Sequence, residues 1–175
     1  MNRRGHIGTI LMVFGALLLV GVTLYSFYGF KDDIKSLDAE FRGMSIEMED
    51  TRDKIGNYMT TLIFESIKQA SLNKFEEDFK NKLKELTKIE VGQEDFKKSF
   101  KNLFENIRDN VFVKIIDGEF KVEKFGDTES YILSIKNLSF SVNPKDREKS
   151  VSSIDYNFSI TSKFNKKEIE YLTIG

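Results

Sequence analysis

The chain has 175 residues and a formal net charge of −1, from 27 Lys and Arg against 28 Asp and Glu. That balance leaves no electrostatic footprint for nucleic acid. There is no Cys and one His, His6, which excludes Cys–His and Ser–His–Asp chemistry and His-based metal sites from everything downstream of the N-terminus.

Arg3 and Arg4 are followed by a run without charge, from Gly5 to Phe30. A bilayer core of roughly 30 Å takes about 20 apolar helical residues, so the run reads as a transmembrane helix from Ile7 to Phe30. A secretory signal has a shorter apolar core, about 7–15 residues, and a small-x-small cleavage site. Here the exit is aromatic, Tyr25-Ser26-Phe27-Tyr28-Gly29-Phe30, which suits an interfacial belt. The run is therefore read as a retained anchor, with the lipid bilayer as its partner. Arg3 and Arg4 have no acid near them, whereas Lys31, Asp32, Asp33 and Lys35 form a mixed set after the run. The positive-inside bias puts residues 1–6 in the cytoplasm and residues 31–175 outside it. So short a cytoplasmic segment cannot carry an output module, which argues against a conventional signalling receptor.

Arg3-Arg4-Gly5 running straight into a hydrophobic helix resembles the leader of type IV pilins and pilin-like proteins, and is most similar to the archaeal class. In that class a short basic leader ends in Gly and a dedicated peptidase cuts after it. The resemblance implies Gly5 as the last leader residue and His6 as the first mature one. It covers only about thirty residues. Many bacterial pilins carry Glu at the fifth mature position, which here is Ile10; archaeal relatives are looser there. An ordinary signal anchor explains the same span.

About 145 residues follow, the size of one domain. The chain's 16 Phe, with Ile, Leu and Val, supply a core. An extracytoplasmic domain of this size needs no disulfides, and their absence fits a prokaryotic envelope. Pro144 is the only proline, and there is no low-complexity linker.

Helical periodicity continues past the span. Ile34, Leu37, Phe41, Met44, Met48, Thr51, Ile55, Tyr58 and Leu62 recur three and four apart, a heptad-like seam flanked by both signs of charge. The seam is a candidate for self-association as an oligomeric stalk. Gly43 and Gly56 interrupt it, each costing about 1 kcal/mol against Ala, so a kink or break is expected near one of them. From Ile55 to Ala70 the apolar face widens to take in Met59, Ile63, Phe64 and Ile67, as in a helix packed within a domain. Phe75, Phe79, Leu83 and Leu86 define a second helix, with Asn73 as its N-cap and Glu76 in the capping-box position. After Val91-Gly92, a third helix is defined by Phe96, Phe100, Leu103, Phe104, Ile107 and Val111. Helical structure is thus expected over residues 32–112.

The period then changes to two. Asp117-Gly118 and Gly126-Asp127 are turn signals, and Phe120, Val122 and Lys124 lie between them as a half-buried strand. Tyr131, Leu133 and Ile135 occupy odd positions, and Leu138, Phe140 and Val142 even ones. The parity change implies a bulge at Lys136-Asn137. After a polar loop from Asn143 to Asp146, the residues Ile154, Tyr156, Phe158 and Ile160 alternate cleanly. Ile169, Tyr171 and Leu172 begin a last strand. The expected class is α+β: a transmembrane helix continuing into helices, then an antiparallel sheet of about four strands over 118–175, packed on the helices by one face.

The carboxylates of Glu47-Glu49-Asp50, Glu76-Glu77-Asp78 and Glu94-Asp95 lack the spacing and central Gly of a calcium loop and read as solvated helix faces. There is no phosphate-cradling Gly loop. Asn137-Leu138-Ser139 and Asn157-Phe158-Ser159 match the glycosylation sequon. The expectation is a non-enzymatic cell-envelope protein without cofactors, metal or nucleic acid. Its outer domain would bind another envelope protein or itself; the alternatives are a pilin-like subunit processed after Gly5 and a coiled-coil stalk.

Overall fold

The computed structural model describes residues 3–126, 128–144 and 152–175, with side chains from Met12 onward. Helix α1 runs over Arg3–Gln69, α2 over Phe75–Val91 and α3 over Glu94–Phe100. A 3-10 turn (Lys101–Leu103), α4 (Phe104–Ile107), a π turn (Arg108–Phe112) and α5 (Val113–Asp117) follow. Strands β1 (Lys121–Lys124), β2 (Tyr131–Val142), β3 (Ile154–Phe164) and β4 (Ile169–Ile174) form one antiparallel sheet in the order β1-β2-β3-β4. The class is α+β, as the periodicities imply. The chain divides into two compact units, Met1–Gly43 and Met44–Gly175.

In the first unit α1 is helical throughout. Every described side chain from Met12 to Lys35 is exposed; Leu17, Leu19, Val22, Phe27 and Phe30 expose between 65 and 72 % of their surface. The break expected near Gly43 or Gly56 does not occur, because α1 is continuous through both. At Gly56 the neighbouring Ile55 and Met59 are fully buried, and burial of that face outweighs a propensity loss of about 1 kcal/mol.

In the second unit, the last part of α1 buries Met44, Thr51, Ile55, Met59, Leu62, Ile63, Ser66 and Ile67. Phe64, expected on that face, points away and is 39 % exposed; the Lys68 ammonium sits 4.2 Å from its ring centre. The buried stripe of α2 is Phe75, Phe79, Leu83, Thr87 and Val91, a strict four-residue step. Thr87 therefore replaces the expected Leu86, and its hydroxyl donates to the Leu83 carbonyl at 2.6 Å. The expected capping box is absent. Helix α2 begins one residue later than Asn73 would require, with Lys74 at the cap position and no side-chain cap bond. Glu76, Glu77 and Asp78 in the first turn favour the helix N-terminus electrostatically instead.

The third helix is not continuous, and helical structure reaches Asp117 rather than stopping at 112. Lys101 at φ 46° ends α3. In the π turn Val111 and Phe112, adjacent in sequence, are both fully buried.

The sheet buries one face. Tyr131, Leu133 and Ile135, then Leu138, Phe140 and Val142, are all buried, and the register shifts between Ile135 and Leu138. Asn137 takes φ 58° there, a left-handed conformation that Asn tolerates. On β3 the buried alternation runs past Ile160 to Ser162 and Phe164. Gly118 at φ 83° and Gly126 at φ 59° make the turns before and after β1. Phe120 precedes β1 rather than joining it. Asp127, Lys145 and Asp146 lie outside the described residues.

The abundant Phe builds three aromatic clusters. Tyr58 of α1 meets Phe96 edge-on at 4.9 Å and Phe100 at 5.6 Å, with Phe112 closing the group. Phe75 and Phe79 of α2 meet Tyr131 and Phe164 across the sheet. Phe140, Tyr156 and Phe158 pack on one another along β2 and β3.

Candidate functional site

The sheet leaves its β4 flank open. Ile169, Leu172 and Ile174 face the helices but are only half-buried. Beside them α1 contributes Arg52, Asp53, Gly56, Asn57 and Thr60, and together these residues line a cleft of about 870 Å³. Gly56 permits this approach: a Cβ there would lie 3.2 Å from Ile174 Cδ1. Arg52 donates to Asp53 Oδ1 from Nε at 3.4 Å and from Nη2 at 3.3 Å. Hydrogen bonds to Asp53 and then to Tyr156 raise the guanidinium's pKa further, so it stays charged. The wall of the cleft is thus polar and near neutral, and its floor is apolar.

The outer face of the sheet is polar. Asn157 pairs with Ser139, Asp155 with Ser141 and Thr161 with Ser134, and Ser141 Oγ donates to Asp155 at 2.6 Å. At one corner Glu170 accepts from Lys163 Nζ at 2.6 Å and from Ser130 Oγ at 2.8 Å. These hydrogen bonds, Lys163 first, pull its pKa below the usual carboxylate value. The same ammonium lies 4.9 Å from the Phe125 ring centre. A second cavity, about 450 Å³, is lined by Lys114, Lys121 and Lys136 with Glu119 and Phe120.

The sequence-derived candidates fall in separate places. Arg3, Arg4, Gly5 and His6 lie in the first turns of α1, and their side chains are outside the described set. Of the seam, Ile34 and Phe41 are exposed, Leu37 and Met48 half-buried, and Met44, Ile55 and Leu62 buried in the domain's own core. At Met44, Ile55 and Leu62 the seam is therefore occupied within the chain. Asn137 sits exposed on the bulge and Asn157 exposed on the outer face of β3. The acidic clusters all lie on helices and several of their members form pairs typical of solvated surfaces: Lys54–Asp50, Lys80–Glu76 and Lys97–Glu94. Among the described residues no group of three or more His, Cys, Asp or Glu converges on a metal-sized site.

The cleft beside β4 escaped sequence reasoning. Its signal was a strand with neither Lys nor Pro at the end of the chain, which is how an unguarded edge looks.

Comparison with protein families, with characterised proteins and with solved structures gives no match. The functional reading therefore rests on physical features of the chain alone. Of these, the plainest is that α1 carries a segment near the N-terminus long and apolar enough to cross a membrane.

Proposed function

We propose that this chain is a single-pass membrane protein with a cytoplasmic N-terminus and an extracytoplasmic α+β domain. The domain acts as a non-enzymatic interaction or assembly module of the cell envelope. One observation carries the reading: from Met12 to Phe30 all the large apolar side chains of α1 are exposed. Exposed apolar surface of that extent marks a contact with lipid or protein, and the run has the length a bilayer core demands. The positive flank at Arg3 and Arg4 supports the orientation.

Two assays on intact cells test this. The protein should pellet with membranes after alkaline carbonate washing, and protease added outside should digest the domain. Release into the carbonate supernatant would defeat the anchor, and protection from external protease would defeat the orientation.

A second reading, a pilin-like subunit, draws support from α1 leading without interruption into a helix packed by an antiparallel meander. It expects mature protein beginning at His6 by intact mass, and loss of processing in Gly5→Asp. Mature chains that begin at Met1 or Asn2 would retire it.

A further inference from the structure

We propose that β4 is a self-association edge, at which two copies of this chain join their sheets by antiparallel β4–β4 pairing centred on Leu172. The inference concerns the second compact unit and does not depend on where the N-terminal run resides.

The sheet has three flanks that could recruit another strand, and two are guarded. Strand β1 is four residues long and carries Lys121, Glu123 and Lys124; short, charged edges resist pairing. Beyond the reach of β1, the free side of β2 is covered by helical side chains. Asn106 Oδ1 accepts from the Ser141 N–H at 3.0 Å, and Lys114 Nζ donates to the Asn137 carbonyl. Strand β4 has six residues, Ile-Glu-Tyr-Leu-Thr-Ile, with no Lys or Pro. Its one charge, Glu170, is already engaged by Lys163 and Ser130.

The backbone phase of β4 suits a partner. Ser159 and Gly175 exchange both N–H···O bonds, at 2.9 and 3.1 Å. In an antiparallel ladder such exchange alternates along the strand, so Tyr171 and Thr173 also turn their backbone groups toward β3. Those of Leu172 and Ile174 turn outward, to the side where, among the described residues, no strand lies.

The strand also complements itself. Centred on Leu172, antiparallel pairing sets Leu172 opposite its copy and Tyr171 opposite Thr173, stopping short of Glu170, where a register shift makes a bulge in β4. The outward-pointing N–H and carbonyl of each Leu172 then bond to those of its copy. Leu172 meets Leu172 on the helix-facing side. Tyr171 meets Thr173 on the outer side, an aromatic–β-branched pair of the kind that stabilises sheets. No like charges oppose one another. The two sheets become one of eight strands, and the half-buried Leu172 and Ile174 gain cover.

Because the chain has no Cys, a single introduced cysteine reports only contacts between copies. In the proposed register the two Leu172 Cα atoms stand about 5.5 Å apart, within disulfide range. Full-length Leu172→Cys in detergent should form a reducible, dimer-sized species on mild oxidation, and Asn157→Cys on the outer face should not. In the second variant, Leu172→Pro, the lost N–H points away from β3, so the β3–β4 ladder survives. It should melt near wild type yet dimerise more weakly by roughly tenfold or more in light scattering. The proposal is overturned if the wild type stays monomeric at high concentration, or if Leu172→Pro dimerises as tightly. Equal cross-linking from both cysteines, or capture of a chain of different mass by Leu172→Cys, overturns it as well. If Leu172→Pro fails to fold, the cysteine pair still decides.

Discussion

Phe96→Ala tests whether the broken helical segment is a true part of the core. Phe96 is fully buried, and its ring lies 4.9 Å from Tyr58, Phe100 and Phe112 alike. Truncating a buried Phe costs about 3–5 kcal/mol. Three close aromatic pairs, each adding about 0.5–1.5 kcal/mol beyond area, place this site near the top, at roughly 4–5 kcal/mol. Helix α3 buries only Phe96 and Phe100, so no other side chain on it can refill the gap. The second unit has about 130 residues, for which a net stability of roughly 6–20 kcal/mol is ordinary. The variant should therefore fold but melt lower by about 15 °C, taking roughly 3–4 °C per kcal/mol for a domain of this size. Circular dichroism melts of the full-length chain in detergent measure this against Phe104→Ala. Phe104 is half-buried, and the Arg108 guanidinium lies 5.5 Å from its ring centre, so its truncation should cost only about 1–2 kcal/mol. A Phe96→Ala loss no larger than that of Phe104→Ala would refute the packing argument.

Two glycines should respond with opposite sign. A Cβ on Gly43 meets nothing within 4 Å, so Gly43→Ala should raise helix stability by up to about 1 kcal/mol. Gly118 has φ 83° with Lys84 in the space a Cβ would fill, so Gly118→Ala should lose about 1–2 kcal/mol; urea midpoints for both variants check the pair. Glu170 titrates below its ordinary value because Lys163 and Ser130 hydrogen-bond its charged form. Its contribution is therefore complete above the unfolded pKa of about 4.3 and is lost as pH falls through the depressed folded value. Melting temperatures of wild type and Glu170→Gln should differ near neutrality and converge as the pH falls through that depressed value; a constant gap would contradict the assignment.

The strands were legible because period two has few competing explanations. Tyr131, Leu133 and Ile135 against Leu138, Phe140 and Val142 encode both the buried face and the bulge, since one extra residue flips parity. The helical half was less legible, for two reasons. Stepping by three and four residues cannot distinguish the i, i+4 stripe of α2 from a mixed one, so Leu86 stood where Thr87 belongs. The π turn over Arg108–Phe112 breaks no three-and-four spacing, so periodicity does not register it. Caps were the weakest signal, because Asn73 and Glu76 have the right spacing, yet the helix starts at Phe75 to place that ring on Tyr131.

The seam from Ile34 to Leu62 carries the broader lesson. Its spacing is continuous, yet its environment changes: Ile34 is exposed, whereas Met44, Ile55 and Leu62 are buried in the chain's own core. An apolar stripe specifies that one face must be covered and leaves open by what. Where the domain's helices and sheet supply the cover, as at Met44, Ile55 and Leu62, those positions of the stripe serve folding. The self-association proposed above uses other groups. Backbone donors and acceptors on an edge strand are such groups, and hydrophobic periodicity does not register them. A lone strand edge is recognised in sequence only by what it lacks, and between Ile169 and Ile174 the lysines and prolines that would guard it are missing.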